Sequence, residues 1–247
     1  MKRLVFCFLL SLLLCHEVRG AEVSGAVALT FDGYSPQVAE TLDSLGAKGT
    51  FFLSNPMPEA TARLTAAGHE IGLDLSGSGD MTGLSRRQIY GELHPLEKDI
   101  PKKNRPQWIR PPEKWGDGFR QVAEVTRHGL LRWSLDARSG LTGPQLDQIR
   151  SGDVIALGDI SAEELSDLIG ILRGRNLEPV TVTELAGKQD VEILPGKVYE
   201  KFPVRRTGNF DVGITCPRCS DHPPARWGCR RWSCPWRRAE CSCLPER

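Results

Sequence analysis

The sequence carries almost no excess charge: 32 lysines and arginines stand against 31 acidic residues, a formal net charge of +1. No cationic surface for a polyanion is written into such a balance, so no nucleic-acid partner is implied. An apolar run long enough to cross a bilayer is also missing. The longest, Leu4 to Leu14, falls short of the roughly 20 residues a spanning helix needs, and His16, Glu17 and Arg19 break any continuation of it. Lys2 and Arg3 ahead of that run, and Val18-Arg19-Gly20 before Ala21, predict an export signal over residues 1–20 with no stable membrane span after its removal. Leu14 precedes Cys15 where a lipoprotein signal places a small residue, so lipid anchoring is not predicted. The chain of 247 residues is long enough to bury one large core, and needs neither disulfides nor metal to hold it.

Cysteine is nearly absent from the body of the chain and crowded at its end. Cys216, Cys219, Cys229, Cys234, Cys241 and Cys243 lie among Arg230, Arg231, Arg237, Arg238, Trp227, Trp232 and Trp236. Cys216-Pro217-Arg218-Cys219 has zinc-ribbon spacing, but Cys229 and Cys234 do not repeat it. The tail, residues 216–247, reads either as an oxidised cysteine module of an exported protein or as a disordered, frame-shifted end without an apolar period. Residues 186–215, punctuated by Pro195, Gly196, Pro203 and Gly208, read as a linker or a wrapping extension.

Between these ends, residues 21–185 form the predicted domain. Short β-branched or aromatic runs alternate with helical patterns, which is the pattern of βα units and a parallel sheet. Strands are expected at Ala26–Phe31, Thr50–Leu53, Glu70–Leu73, Gln107–Ile109, Leu130–Leu135, Val154–Leu157 and Pro179–Val182. Pro36 and Pro58 open helices, and Ser85 with Gln88 forms a capping box for a third, which Pro95 should bend or shorten. Further helices are expected at 119–127, 144–150 and 162–173. Chemistry in a parallel α/β fold gathers at the C-terminal ends of the strands. Asp32, Asp74, Arg110, Asp136 and Gly158 all fall there.

Three segments in order, Thr30-Phe31-Asp32-Gly33, Gly68-His69-Glu70-Ile71-Gly72 and Arg110-Pro111-Pro112, resemble the NodB-type polysaccharide deacetylases, metal-dependent hydrolases of acetylated sugars. The resemblance spans about Ala26 to Leu185 and implies an α/β fold, an irregular (β/α)7 barrel. It implies Asp32 as the catalytic base, paired with Arg110, and Asp136 as a retained carboxylate of the fourth motif. Several expected residues are replaced. Gly33 stands where the family places a metal-binding aspartate, and Asp74 and Ser78 where it places two histidines, leaving Asp74 as the remaining metal candidate. Gly158 takes the position of the acid histidine. His69 reads as a packing residue. A catalytic zinc or similar divalent metal needs about three protein ligands, which one carboxylate and a serine do not supply, so loss of the family's cofactor is expected.

Trp133 is a candidate sugar-binding face, and Leu157 a candidate for an apolar pocket receiving the acetyl methyl. The implied partner is an acetylated glycan or peptidoglycan, outside the cytoplasm or in the cell envelope. The functions open from sequence are carbohydrate de-N-acetylation with a degraded metal site, non-catalytic glycan binding, or a folded remnant without activity, with carboxylate-only glycosidase chemistry by Asp32 and Asp136 a poor fourth.

Overall fold

The computed structural model describes residues 25–98 and 100–203. The predicted export signal, the second part of the predicted linker and the cysteine-rich tail lie outside them. The strands of the described residues are β1 (Gly25–Asp32), β2 (Thr50–Leu53), β3 (Glu70–Asp74), β4 (Trp108–Arg110), β5 (Gly129–Leu131), β6 (Leu135–Ala137), β7 (Val154–Leu157), β8 (Leu177–Val180) and β9 (Val198–Tyr199). The helices are α1 (Pro36–Ser44), α2 (Pro58–Ala66), α3 (Arg86–Glu97), α4 (Asp117–Thr126), α5 (Gly143–Gln148), α6 (Ala162–Gly174) and α7 (Val182–Lys188). The strands run parallel in the order β6-β7-β1-β2-β3-β4-β5-β9, with β8 added on β1, and curl into an incompletely laddered barrel. This is the mixed α/β barrel with seven helices that the motifs imply.

Strand periodicity divides the core in two. Val27, Leu29 and Phe31 of β1 join Phe51, Ile71, Ile109 and Ile155 in a layer beneath α1 to α6, packed on Leu42, Leu64, Phe119 and Leu168. Ala26 and Ala28, one residue out of phase, face inward with Phe52, Trp108, Leu131 and Val154. Each fully buried leucine or phenylalanine contributes about 1.5–3 kcal/mol relative to exposure, so this double burial fixes the register. Thr30 and Asp32 continue the inward row, which carries Asp32 to the rim.

Helix starts obey their sequence signals. Pro36 and Pro58 occupy first turns, and Ser85 and Ser161 close capping boxes with Gln88 and Glu164. Pro95 does not end α3, which runs to Glu97.

Three expectations need correction. The strand expected at Leu130–Leu135 is two strands toward opposite ends of the strand order: β5 pairs with β4, whereas β6 pairs with β7. Arg132, Trp133 and Ser134 cross the seam between them, with Arg132 N–H donating to the Tyr199 carbonyl and Ser134 N–H to the Val154 carbonyl. The last predicted strand ends at Val180 rather than Val182, because Thr181 and Glu184 form a capping box that starts α7. That helix plugs the lower end of the barrel with Val182, Leu185 and Ala186. Finally, the sheet gains strands beyond the seven expected. One of them, β9, lies in the stretch read as linker or extension and extends the sheet beside β5. Beyond it Lys201 bridges Asp153, and Phe202 N–H donates to the Gly152 carbonyl at 2.7 Å, tying the seam at its base.

Candidate functional site at the barrel mouth

Asp32 ends β1 and Arg110 ends β4, and the barrel brings them together across β2 and β3. The Arg110 guanidinium is fully buried and forms an ion pair through Nη1 with Asp32 Oδ1, whose side chain keeps 26% of its exposure. Arg110 Nη2 donates to Thr30 Oγ1 at 2.7 Å, and that hydroxyl donates onward to the Ile155 carbonyl at 3.0 Å. The guanidinium lies over the Phe52 ring at 4.1 Å and near Trp133 at 5.3 Å. Burial, with the Arg138 charge adding to it and Asp136 opposing it, pulls Arg110 down to about 9. It stays protonated at neutral pH, with the Asp32 carboxylate in contact.

A second guanidinium reaches the same carboxylate. Arg138, just after β6, holds Asp136 in a fork, Nε to Oδ1 at 3.0 Å and Nη2 to Oδ2 at 2.6 Å. Its Nη1 stands 3.8 Å from Asp32 Oδ2, and its plane lies 4.2 Å from the Trp133 ring centre. The hydrogen bonds from Arg138 hold Asp136 below its usual carboxylate value, against a smaller opposing effect of burial. Asp136 raises Arg138 in turn, and the Asp74 charge acts in the same direction. The mouth is thus a chain of alternating charges, Asp136, Arg138, Asp32 and Arg110. Motif order does not single out Arg138. The signal that could have found it is a basic residue two positions after a motif aspartate, at the end of a strand.

The other sequence candidates take different places. Asp74 ends β3, and its Oδ1 accepts from Ser76 N–H at 2.9 Å. Trp133 is half-buried in the seam, with Arg138 lying across its ring. Leu157 does not face the barrel interior, as an inward position on β7 would require. It belongs to the layer under α6 and lines a cavity of about 210 Å³ with Ala137, Leu146, Ile160 and Leu168. His69 is a buried packing residue: its Nδ1 accepts from Gly49 N–H at 3.3 Å, its Nε2 lies 3.2 Å from Asp43, and burial lowers its pKa. An open cavity of about 440 Å³ lies beside Asp32, lined also by Gly33, Tyr34, Gln37, Gly158 and Asp159. A ligand in that space meets the exposed part of the carboxylate.

With Arg110 and Arg138 in place on the carboxylates, the donor set does not fit a divalent metal. Gly33 has φ +88°, a left-handed backbone in which an aspartate is strained, so a carboxylate there does not simply return by substitution. Ser78 is exposed, and its backbone N–H turns back to the Leu75 carbonyl. Among the described residues no group of three His, Cys, Asp or Glu side chains is arranged to hold a metal ion. Asp32 and Asp136 face guanidinium groups instead.

Residues 20–127 match the family model of polysaccharide deacetylase. The match ends before β6 and β7, so Asp136, Arg138 and Gly158 lie beyond it. Among solved structures, the chain is similar to a family 4 acetyl xylan esterase from Clostridium thermocellum in complex with a cobalt ion, at 25% identity over 72% of this chain and 99% of that one, TM-score 0.61. It is also similar to the peptidoglycan deacetylase PdaC from Bacillus subtilis, at 23% identity over 68% and 92% of the two chains, TM-score 0.59. A third similar structure is a mutant of BA3943, a CE4 family pseudoenzyme, at 22% identity over 66% and 67%, TM-score 0.57. No curated protein sequence matches the chain.

Proposed function

We propose, for a chain that matches polysaccharide deacetylase over residues 20–127 and folds as the barrel of those proteins, that it recognises acetylated sugar units of a polysaccharide, peptidoglycan included, at the barrel mouth. The observation that carries this reading is Asp32, paired with Arg110 on one side and bordering on the other an open cavity between the turns that follow β1 and β7. An acetamide has one N–H donor, which the exposed part of the Asp32 carboxylate can accept. We read the apolar start of the chain as an export signal, in keeping with a polymer of the cell envelope as ligand.

The geometry favours recognition over metal-assisted hydrolysis. In that chemistry a metal activates water and polarises the acetyl carbonyl, and the donors here do not fit one. Two guanidinium groups already engage the Asp32 oxygens that a general base would use. A neighbour of the same fold that is a pseudoenzyme supports this reading.

Slow de-N-acetylation is the second reading. It is favoured by the exposed part of Asp32 at the cavity, where a general base is worth about 10² to 10⁴ in rate. Calorimetric binding of chitin oligosaccharides and peptidoglycan fragments, run beside an acetate-release assay, tests both. Saturable binding that Arg110→Met abolishes, without acetate release, is the expected result. Acetate release that Asp32→Asn abolishes establishes hydrolysis; absence of both binding and release overturns the proposal.

A further inference from the structure

Gly158 and Arg138 share one volume. A Cβ at Gly158 meets the Arg138 main chain, within 3.2 Å of its C and Cα and nearer still to its carbonyl oxygen. The β6–α5 turn therefore occupies the space that a side chain on the end of β7 needs. By the motif order, that position belongs to an imidazole in the resembling enzymes. The absence of a side chain at Gly158 and the approach of the Arg138 main chain therefore go together.

The side chain of Arg138 makes the second observation. Its guanidinium is bonded to Asp136, stands 3.8 Å from Asp32 and feels the Asp74 charge, so it is directed at the carboxylates remaining at the mouth. Cation and aromatic ring fix its plane, since it lies over Trp133 at 4.2 Å. A point charge of +1 already sits among these oxygens. A divalent ion at hydrogen-bond distance from the same oxygens meets strong repulsion from it, because like charges a few ångströms apart in a partly buried site cost several kcal/mol.

We infer that Arg138 is a resident cation, which neutralises the mouth carboxylates from within the chain while its backbone fills the place of a side chain at Gly158, so that the mouth excludes divalent metal. This rests on the reading of the mouth as the functional site. It adds that the mouth holds its shape and charge balance without a metal ion. Arg138 acts as a positioning residue through Asp32 and Asp136.

Cobalt(II) titration of the full chain, monitored by calorimetry and visible absorption, tests the inference. Any reduced cysteine thiols would also take up cobalt, so the mouth signal is defined as the fraction that Asp32→Asn removes. The unsubstituted chain is expected to show no Asp32-dependent cobalt. Arg138→Ala gains an Asp32-dependent site at least tenfold tighter, and Arg138→Gln, which retains side-chain length over Trp133, gains it too. Arg138→Lys, which keeps the charge, stays closed to the metal. Thermal melts identify any variant that has lost its fold, and the other neutral variant then carries the comparison. Asp32-dependent cobalt in the unsubstituted chain, or no gain in either neutral variant, overturns the inference. Glycan affinity measured on the same samples reports separately on the proposed function: metal gain with no glycan binding in any variant retains this inference while rejecting that reading.

Discussion

The two ends of the barrel each hold a carboxylate on the inner row of strands, and they settle its charge by opposite means. At the lower end Glu70 opens β3, where Thr50 Oγ1 donates to it at 2.9 Å, Thr183 N–H donates at 3.1 Å and the Thr183 hydroxyl donates as well. No cation is among these donors. Burial raises the Glu70 pKa, and the hydrogen bonds from Thr183 and Thr50 offset part of that rise. At the upper end Asp32 has two guanidinium groups and partial exposure. Hydroxyls and amides around a buried acid make a structural plug, tied through Trp108 Nε1 to Thr183 Oγ1 at 3.0 Å. Full charges around a half-open acid make a surface that a polar ligand meets.

The sharpest way to break this contrast is Arg110→Met. It removes the buried partner of Asp32, which keeps its partial exposure and Arg138, and loss of such an ionic hydrogen-bond partner costs about 1–3 kcal/mol. Chemical denaturation is expected to show that loss, and glycan calorimetry loss of binding. Glu70→Ala strands three donors at the lower end and is expected to cost about 2–3 kcal/mol with glycan affinity within twofold of the intact chain. The two variants together separate plug from mouth. If Glu70→Ala abolished binding while retaining a cooperative melt, the division of labour would be wrong.

Glu70 also sharpens the contrast through pH. Its folded pKa lies above the ordinary value of 4.5, so the folded state retains the proton longer than the unfolded state. That contribution is fully present below the ordinary value and is lost as pH rises through the folded one. Glu70→Gln is expected to flatten this part of the stability curve, measured by denaturation midpoints at successive pH values.

Smaller effects are expected at the mouth. Gly158→Ala pushes a methyl against the Arg138 main chain, an overpacking expected to cost about 1–3 kcal/mol and to weaken glycan binding because the turn must move. Asp136→Asn breaks an exposed fork and is expected to change stability by less than about 1 kcal/mol. Its effect should appear instead as a several-fold loss of glycan affinity as Arg138 loses its anchor.

Sequence discloses the elements whose burial is two-sided or whose caps are local. β2 and β7 match their expected limits, since Thr50–Leu53 and Val154–Leu157 are continuous buried runs between clear breaks. The Asp32–Arg110 pair is legible because motif order places both residues at strand ends. β9 is not, because two residues carry no period and its pairing with β5 is set by distant chain. The split of β5 from β6 is hidden for a related reason: Leu130 to Leu135 reads as one apolar run, and only the seam shows that its halves lie toward opposite ends of the strand order. Sequence presents Gly158 as a missing histidine. That Arg138 fills the vacated volume is a contact between two loops, which no local pattern records.

The seam places the closing staple last in chain order. Every mouth residue precedes β9, yet Tyr199 and Phe202 complete the wall behind Trp133 and the base of β7. A nascent chain that has delivered Asp32, Arg110 and Arg138 still has an open flank until residue 202 arrives, and the long-range pairing makes this late step slow. Truncation ahead of Val198 should therefore leave an aggregation-prone half-cylinder rather than a smaller working barrel.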